Sequence, residues 1–310
     1  MELQKELHNR PPKQVAKGIF FFILAALCFA LMGATVKEVG SSQTTEAIIV
    51  WRNAVSLLLL LPWLLAQKQP LKQQLSTHHV KIHLCRGIAN FCAVFFYFLS
   101  LNFLPLSNAT LLFNTAPIFI PLVAFLWHKV VMPKVLWWGI GISFVGIVIA
   151  LDPRHGLFQP ASLLALLSGI SGAVALVSLR LGHYSETSNR LMFYVFVINL
   201  LLAFLFSLFS FQKTWGALSL LDLAWMLLIG IWGFAYQITS TLGTRYIPAR
   251  LGAIFLFLSV VFSFFLDHWM WQVTIPPSTY IGCALIVLGA ALKVILYPKD
   301  DFQFTSSNKT

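Results

Sequence analysis

Polar residues set inside otherwise apolar stretches are the features of this chain that can do chemistry. Asn90, Ala93, Val94 and Tyr97 recur at three- and four-residue steps, which places them on one helix face. Gly233, Tyr236, Gln237 and Ser240 recur in the same way. Asn108, Asn114 and Thr115 stand close to Pro117 and Pro121, which lack backbone donors and so bend or loosen a helix and free its carbonyls. Arg52 is the only basic residue well inside an apolar stretch. Such groups hydrogen-bond, stack and pair with an anion; none of them points to bond cleavage. The candidate binding residues are therefore Arg52, Asn90, Tyr97, Asn114, Thr115, Tyr236, Gln237 and Ser240. Tyr97 and Tyr236, with Trp232, offer ring faces to an aromatic or cationic ligand.

Each of these residues has a second reading. A polar side chain in a membrane-crossing helix either lines a cavity or hydrogen-bonds to a neighbouring helix, the latter being worth about 1 kcal/mol. A charge in such a helix is a functional hypothesis by default, and Arg52 suits a carboxylate or phosphate on a small molecule. The alternatives are snorkelling to the interface or pairing with Glu46.

Other combinations carry less. His79 and His83 have the i, i+4 spacing of a metal pair, with His78 adjacent, but no third ligand stands nearby, and they read as part of a basic loop with Lys72, Lys81 and Arg86. No Gly-rich phosphate loop or serine nucleophile motif occurs, and Asp267-His268 has no neighbouring nucleophile. Neither a metal nor a cofactor is expected. Cys28, Cys85, Cys92 and Cys283 fall in or at apolar stretches and read as packing residues rather than disulfides. Glu38, Glu46, Asp152, Glu186, Asp222 and Asp267 all fall near the ends of apolar stretches or between them. No buried carboxylate relay is expected, which favours facilitated exchange or exchange with a second metabolite over proton coupling, with His or an interfacial carboxylate as the alternative proton carriers.

The elements that must position these residues are set by composition. Of 310 residues, 58% are hydrophobic and 10% charged, with a mean hydropathy of +0.82. Ten apolar stretches run Gly18 to Val36, Ala47 to Leu65, Arg86 to Phe103, Ala109 to Trp127, Val135 to Leu151, Ser162 to Leu181, Leu191 to Phe211, Leu223 to Thr241, Leu251 to Phe265 and Tyr280 to Leu296. Each is near the roughly twenty residues needed to cross about 30 Å of hydrocarbon. The expected fold is all-α and integral to the membrane, with ten transmembrane helices. The first stretch lacks a cleavage site and is expected to be retained.

Lys and Arg orient the chain, because positive charge is kept on the cytoplasmic side. With the N-terminus inside, 17 of the 21 basic residues fall in inner segments, and only Lys37, Arg154 and Lys213 fall outside. Both termini are expected in the cytoplasm, so residues 1–17 and the tail 298–310 are cytoplasmic and the location is the cytoplasmic (inner) membrane. The formal charge of +11 is spread over short loops rather than gathered on one face, which speaks against nucleic acid as a partner. Trp63, Trp127, Trp137, Trp138, Trp215, Trp269 and Trp271 sit near stretch ends, where amphipathic rings prefer the interface.

Shifting the sequence by 143 residues aligns Gly87 with Gly230, Pro105 with Pro248, Pro133 with Pro276, Gly139 with Gly282 and Gly146 with Gly289. An arbitrary register should give roughly one such match, so the chain is duplicated. The same shift lays the Asn90–Tyr97 face on the Gly233–Ser240 face, so both should address one pseudo-symmetric centre. Each half, 18–151 and 152–297, holds five stretches; an odd number makes the halves two inverted five-helix repeats. Inverted repeats are characteristic of secondary transporters that work by alternating access around a midplane site.

The chain resembles the drug/metabolite transporter superfamily, EamA type. The resemblance is carried by Arg86-Gly87, by Tyr97-Phe98-Leu99-Ser100-Leu101-Asn102-Phe103-Leu104-Pro105-Leu106-Ser107-Asn108-Ala109-Thr110, by Thr115-Ala116-Pro117-Ile118-Phe119 and by Ala249-Arg250-Leu251-Gly252-Ala253. Many relatives end the fourth and ninth spans with Leu-Gly-Glu; this chain has Leu126-Trp127-His128-Lys129 and Leu266-Asp267-His268-Trp269 instead. The resemblance implies a ten-helix carrier of small metabolites such as amino acids and their derivatives, S-adenosylmethionine or nucleobases, more often an exporter. Its partners would be a small-molecule substrate and the lipid bilayer, with a homodimer left open. An integral-membrane enzyme acting on an amphipathic or lipid-linked substrate is the competing expectation.

Overall fold

The computed structural model describes residues 12–67, 69–128, 134–150, 160–183, 185–209, 219–246, 255–274 and 276–296. Pro133, Pro248, the Ala249–Ala253 motif, residues 1–11 and the tail lie outside the described residues.

The described chain is helical. In order the helices are α1 Pro12–Val39, α2 Thr45–Leu65, α3 Leu71–Leu75, α4 Val80–Leu101, α5 Leu106–Phe113, α6 Ala116–His128, α7 Lys134–Ala150, α8 Pro160–His183, α9 Ser188–Phe209, α10 Leu220–Tyr246, α11 Leu258–Trp271 and α12 Pro277–Leu296. α1, α2, α4, α8, α9 and α10 are each long and apolar enough to cross a bilayer. The protein is therefore a multi-pass membrane protein.

Caps fix several starts. Thr44 Oγ1 accepts from the Ala47 amide ahead of α2, and Thr187 Oγ1 accepts from the Arg190 amide ahead of α9, each at 3.4 Å. These are N-caps of the usual kind, and they stand 143 residues apart.

Two expected spans differ from what the fold contains. The stretch Ala109 to Trp127 is two helices, α5 and α6, broken at Asn114 and Thr115. Pro117 has no N–H to offer Phe113, and the turn closes instead with Thr115 Oγ1 donating to Leu112 O (2.6 Å) and Ile118 N donating to Thr115 O (2.8 Å). In the second half, α11 begins at Leu258 after a turn at Phe257, and it runs to Trp271 rather than stopping at Phe265. Asp267 and His268 looked like an end by polarity, but Asp267 is fully buried and paired.

The helices pack in a definite pattern. α4 lies against α8, α10 against α1, α7 against α12, and α9 against α2; α10 also meets α2 and α9 meets α4. α5 and α6 lie on α8, while α11 lies on α1 and on α5. Glycines set two of the crossings. A Cβ on Gly87 would fall 2.6 Å from Ile198 Cγ2 on α9, and one on Gly230 would fall 2.6 Å from Val55 Cγ1 on α2. Small residues at such points let backbones approach closely. At the α7–α12 crossing a Cβ on Gly146 would meet the Gly282 carbonyl at 2.7 Å. The core between the helices is apolar and rich in aromatic rings, with Phe29, Phe91, Tyr97, Phe98 and Phe257 all buried.

Candidate functional site

Phe29 of α1 stands at the centre and joins the two faces singled out above. Its ring centroid lies 5.2 Å from Tyr97 on α4, 5.2 Å from Tyr236 on α10 and 4.9 Å from Phe113 at the end of α5. Tyr97 also contacts Phe113 at 5.1 Å. Rings at these separations gain beyond their area alone, so four helices are pinned around one aromatic group.

A polar path leaves this group. The Tyr97 hydroxyl shares a 2.9 Å hydrogen bond with Thr110 Oγ1, and Thr110 Oγ1 accepts from Ser263 Oγ at 3.1 Å. Asn114 Nδ2 donates to Thr110 O (2.9 Å) and to Ser259 Oγ (3.0 Å). Asn114 thus sits at the break of the first-half helix and reaches a residue just past the turn at Phe257. The two interruptions, 143 residues apart, meet each other.

Arg52 packs against Gly233, one turn before Tyr236 on α10. It is 4% exposed, and its neighbours include Met32 and Gly233. Nε donates to Met32 Sδ and Nη1 to Asn53 Oδ1, both at 3.4 Å. A thioether is a weak acceptor, and no carboxylate lies within 4.0 Å among the described residues. Arg52 therefore neither pairs with Glu46 nor reaches the surface.

The remaining candidates are placed differently. Asn90 Oδ1 accepts from Asn199 Nδ2 at 2.7 Å, a bond between α4 and α9. Thr115, fully buried, turns toward α8, where a Cβ on Gly169 would fall 2.5 Å from its Oγ1. Ser240 Oγ donates back to Gln237 O at 3.1 Å. The half-buried Gln237 side chain has no hydrogen bond among the described residues.

Sequence reasoning read Asp267 as lying near the end of a stretch, and it gave no site role to Phe29, Thr110, Ser259, Ser263 and Asp267. The last three recur every four residues along α11, a single polar stripe on an apolar helix, and that spacing was the available signal. It also placed His83 in a solvated basic loop. The side chain is 1% exposed, its ring 4.3 Å from that of Tyr194 and its Nε2 3.6 Å from Glu186 Oε1, because α4 starts at Val80, ahead of the apolar run that begins at Arg86.

Glu186, in the loop before α9, is clasped by Thr77 Oγ1 at 2.5 Å and by Arg190. Burial alone raises its carboxyl; the hydrogen bonds from Thr77 and Arg190 outweigh that and hold it below the ordinary range. Arg86 Nη1 donates to Leu191 O at 2.6 Å at the same end of the bundle. An open depression of about 580 Å³ lined by Pro70, Lys72, Gln73, Ser76, His78 and Arg190 also lies there, away from the aromatic centre. Among the described residues no cluster of three His, Cys, Asp or Glu side chains suits a metal.

Known proteins carry the same plan. The model of the EamA-like transporter family matches residues 16–151 and again 159–295. The pseudopaline exporter CntI of Pseudomonas aeruginosa strain UCBPP-PA14 is 24% identical over 277 residues, covering 87% of this chain and 93% of that protein. An S-adenosylmethionine uptake transporter of Rickettsia bellii is 23% identical over 293 residues, covering 94% and 97%. A solved crystal structure superposes with a TM-score of 0.61 at 19% identity, covering 92% of this chain and 99% of that one.

Proposed function

The chain belongs to the EamA-like transporter family, and from that premise we propose that it carries a small organic metabolite with an anionic group across the cytoplasmic membrane by alternating access. It is a transporter and not an enzyme, as its family and named relatives are. The single observation behind the anionic substrate is Arg52, a buried guanidinium without a carboxylate partner among the described residues. Leaving a buried charge unpaired costs several kcal/mol, and a substrate carboxylate, matched bidentately by the guanidinium fork, offsets that cost at the moment of binding. Tyr236, Phe29 and Tyr97 supply ring faces for the rest of the molecule, and Gln237 and Asn114 supply hydrogen bonds.

The moving parts are the two halves, 18–151 and 152–297, taken as inverted five-helix repeats within a ten-helix fold. Three features support this reading. The packing pairs exchange under the 143-residue shift: α4 on α8 corresponds to α10 on α1, and α10 on α2 corresponds to α9 on α4. Gly87 against Ile198 corresponds residue for residue to Gly230 against Val55. The family model matches twice. Export is the favoured direction and both termini are placed in the cytoplasm; the named relatives include an exporter and an uptake transporter.

The test uses proteoliposomes and a cytosolic metabolite extract, half of it treated to convert carboxylates to methyl esters. Compounds that accumulate from the untreated half should fail to do so as esters, and Arg52→Gln should abolish their accumulation. Equal accumulation of acids and esters removes Arg52 from the site.

A further inference from the structure

The carboxylate of Asp267 is 0% exposed inside α11 and receives four groups. Lys37 Nζ approaches Oδ1 at 3.2 Å and the Leu106 amide donates to Oδ1 at 3.0 Å. The Ser107 amide donates to Oδ2 at 2.7 Å and Ser107 Oγ to the same oxygen at 2.6 Å. Lys37 also stands 4.5 Å from the centre of the Trp271 ring. One carboxylate thus ties the end of α1, the start of α5 and the last turns of α11. The first two belong to the first half of the chain and the third to the second.

We propose that Asp267 and Lys37 form the latch that closes this end of the bundle during transport. The inference rests on the alternating-access reading above. Asp267 heads the polar stripe on α11; one turn deeper Ser263 bonds Thr110, which in turn bonds Tyr97, and a further turn deeper Ser259 meets Asn114. A path from the aromatic centre to this face therefore passes between α11 and the pair α1 and α5. Opening it separates α11 from both, which strips Asp267 of Lys37 and of the α5 amides together. The carboxylate is well placed only while the end is shut, because an anion is stabilised at a helix N-terminus within the first turn and not beyond. Asp267 also sets where α5 sits, and α5 carries Thr110 to Tyr97. It is a positioning residue for the site as well as a closure.

The labelling test needs no substrate, and counterflow from a mixed metabolite pool is run beside it. In the full chain with its four cysteines replaced by alanine, Ser263→Cys reports on the latched end and Ser240→Cys on the opposite end. A membrane-impermeant maleimide is added to each side of sealed vesicles in turn. Lys37→Met and Asp267→Asn should each raise labelling at Ser263→Cys about tenfold, equivalent to about 1.4 kcal/mol, and lower labelling at Ser240→Cys. Opposite changes at the two ends mark a shift between states; a rise at both marks a loosened fold and overturns the latch, as do unchanged rates. Lys37→Met leaves the α5 cap in place, so it decides the matter if Asp267→Asn does not fold. Absence of counterflow removes the carrier, whereas unchanged labelling beside intact counterflow removes the latch alone.

Discussion

Adding one methyl group at Gly87 or at Gly230 should destabilise the protein to a similar extent. A Cβ at Gly87 would stand 2.6, 2.7 and 2.8 Å from Cγ2, Cδ1 and Cβ of Ile198, and one at Gly230 would stand 2.6 and 3.1 Å from the two Val55 methyls. Both opposing residues are β-branched and hold one χ1 rotamer in a helix, so neither turns away. The helices must move apart, at the 1–3 kcal/mol typical of overpacking, about 2 kcal/mol for each variant. Relief should be selective: Ile198→Ala removes the two shortest Gly87 contacts and keeps the third, restoring roughly half the loss in Gly87→Ala and nothing in Gly230→Ala. The assay is unfolding of purified protein in mild detergent by titrated denaturing detergent, with Trp fluorescence as readout. Wild-type stability in either variant would refute equivalent close crossings in the two halves. Relief of Gly230→Ala by Ile198→Ala would refute the stated contact.

Three further outcomes are expected. Asn90→Ala and Asn199→Ala should be non-additive, with a coupling of about 0.6–1.7 kcal/mol in a double-mutant cycle, because each loses the same α4–α9 hydrogen bond. Glu186 has a lowered carboxyl pKa, so its stabilisation is complete above the unfolded value of about 4.3 and falls away as pH drops through the lower folded value. Melting temperatures measured from pH 7 downward should decline in that acid range, and Glu186→Gln should remove this part of the decline. Tyr97→Phe should cost about 1 kcal/mol by deleting the hydroxyl bonded to Thr110 while keeping the ring on Phe29 and Phe113; an unchanged unfolding midpoint would contradict that bond.

The all-helical, membrane-embedded character and the six long apolar helices α1, α2, α4, α8, α9 and α10 were legible because bilayer thickness fixes helix length and leaves a run of apolar residues behind. The 143-residue register, read from glycine and proline, aligned Gly87 with Gly230, but that these glycines face Ile198 and Val55 came only from the packing. Asp267 was misread for a physical reason. Polarity within a sequence looks the same at a helix end and at a buried carboxylate, and the difference lies in Lys37 and the α5 amides, some 230 and 160 residues away. Asn90 and Tyr97 share one helix face, yet Asn90 meets Asn199 and Tyr97 meets Phe29 and Thr110. Face assignments follow from period; partners on neighbouring helices follow only from packing. The break at Asn114 was signalled by Pro117, but its position, three residues before the proline, came from which carbonyl lost its donor.

The most direct test of the carrier is counterflow in proteoliposomes preloaded with a mixed metabolite pool, with mass-spectrometric detection of labelled external compounds. At least one compound bearing an anionic group should accumulate chemically unchanged, and Arg52→Gln should abolish its accumulation at equal protein abundance. Accumulation that is indifferent to Arg52, or chemical conversion of the compound in place of accumulation, would contradict the proposed carrier.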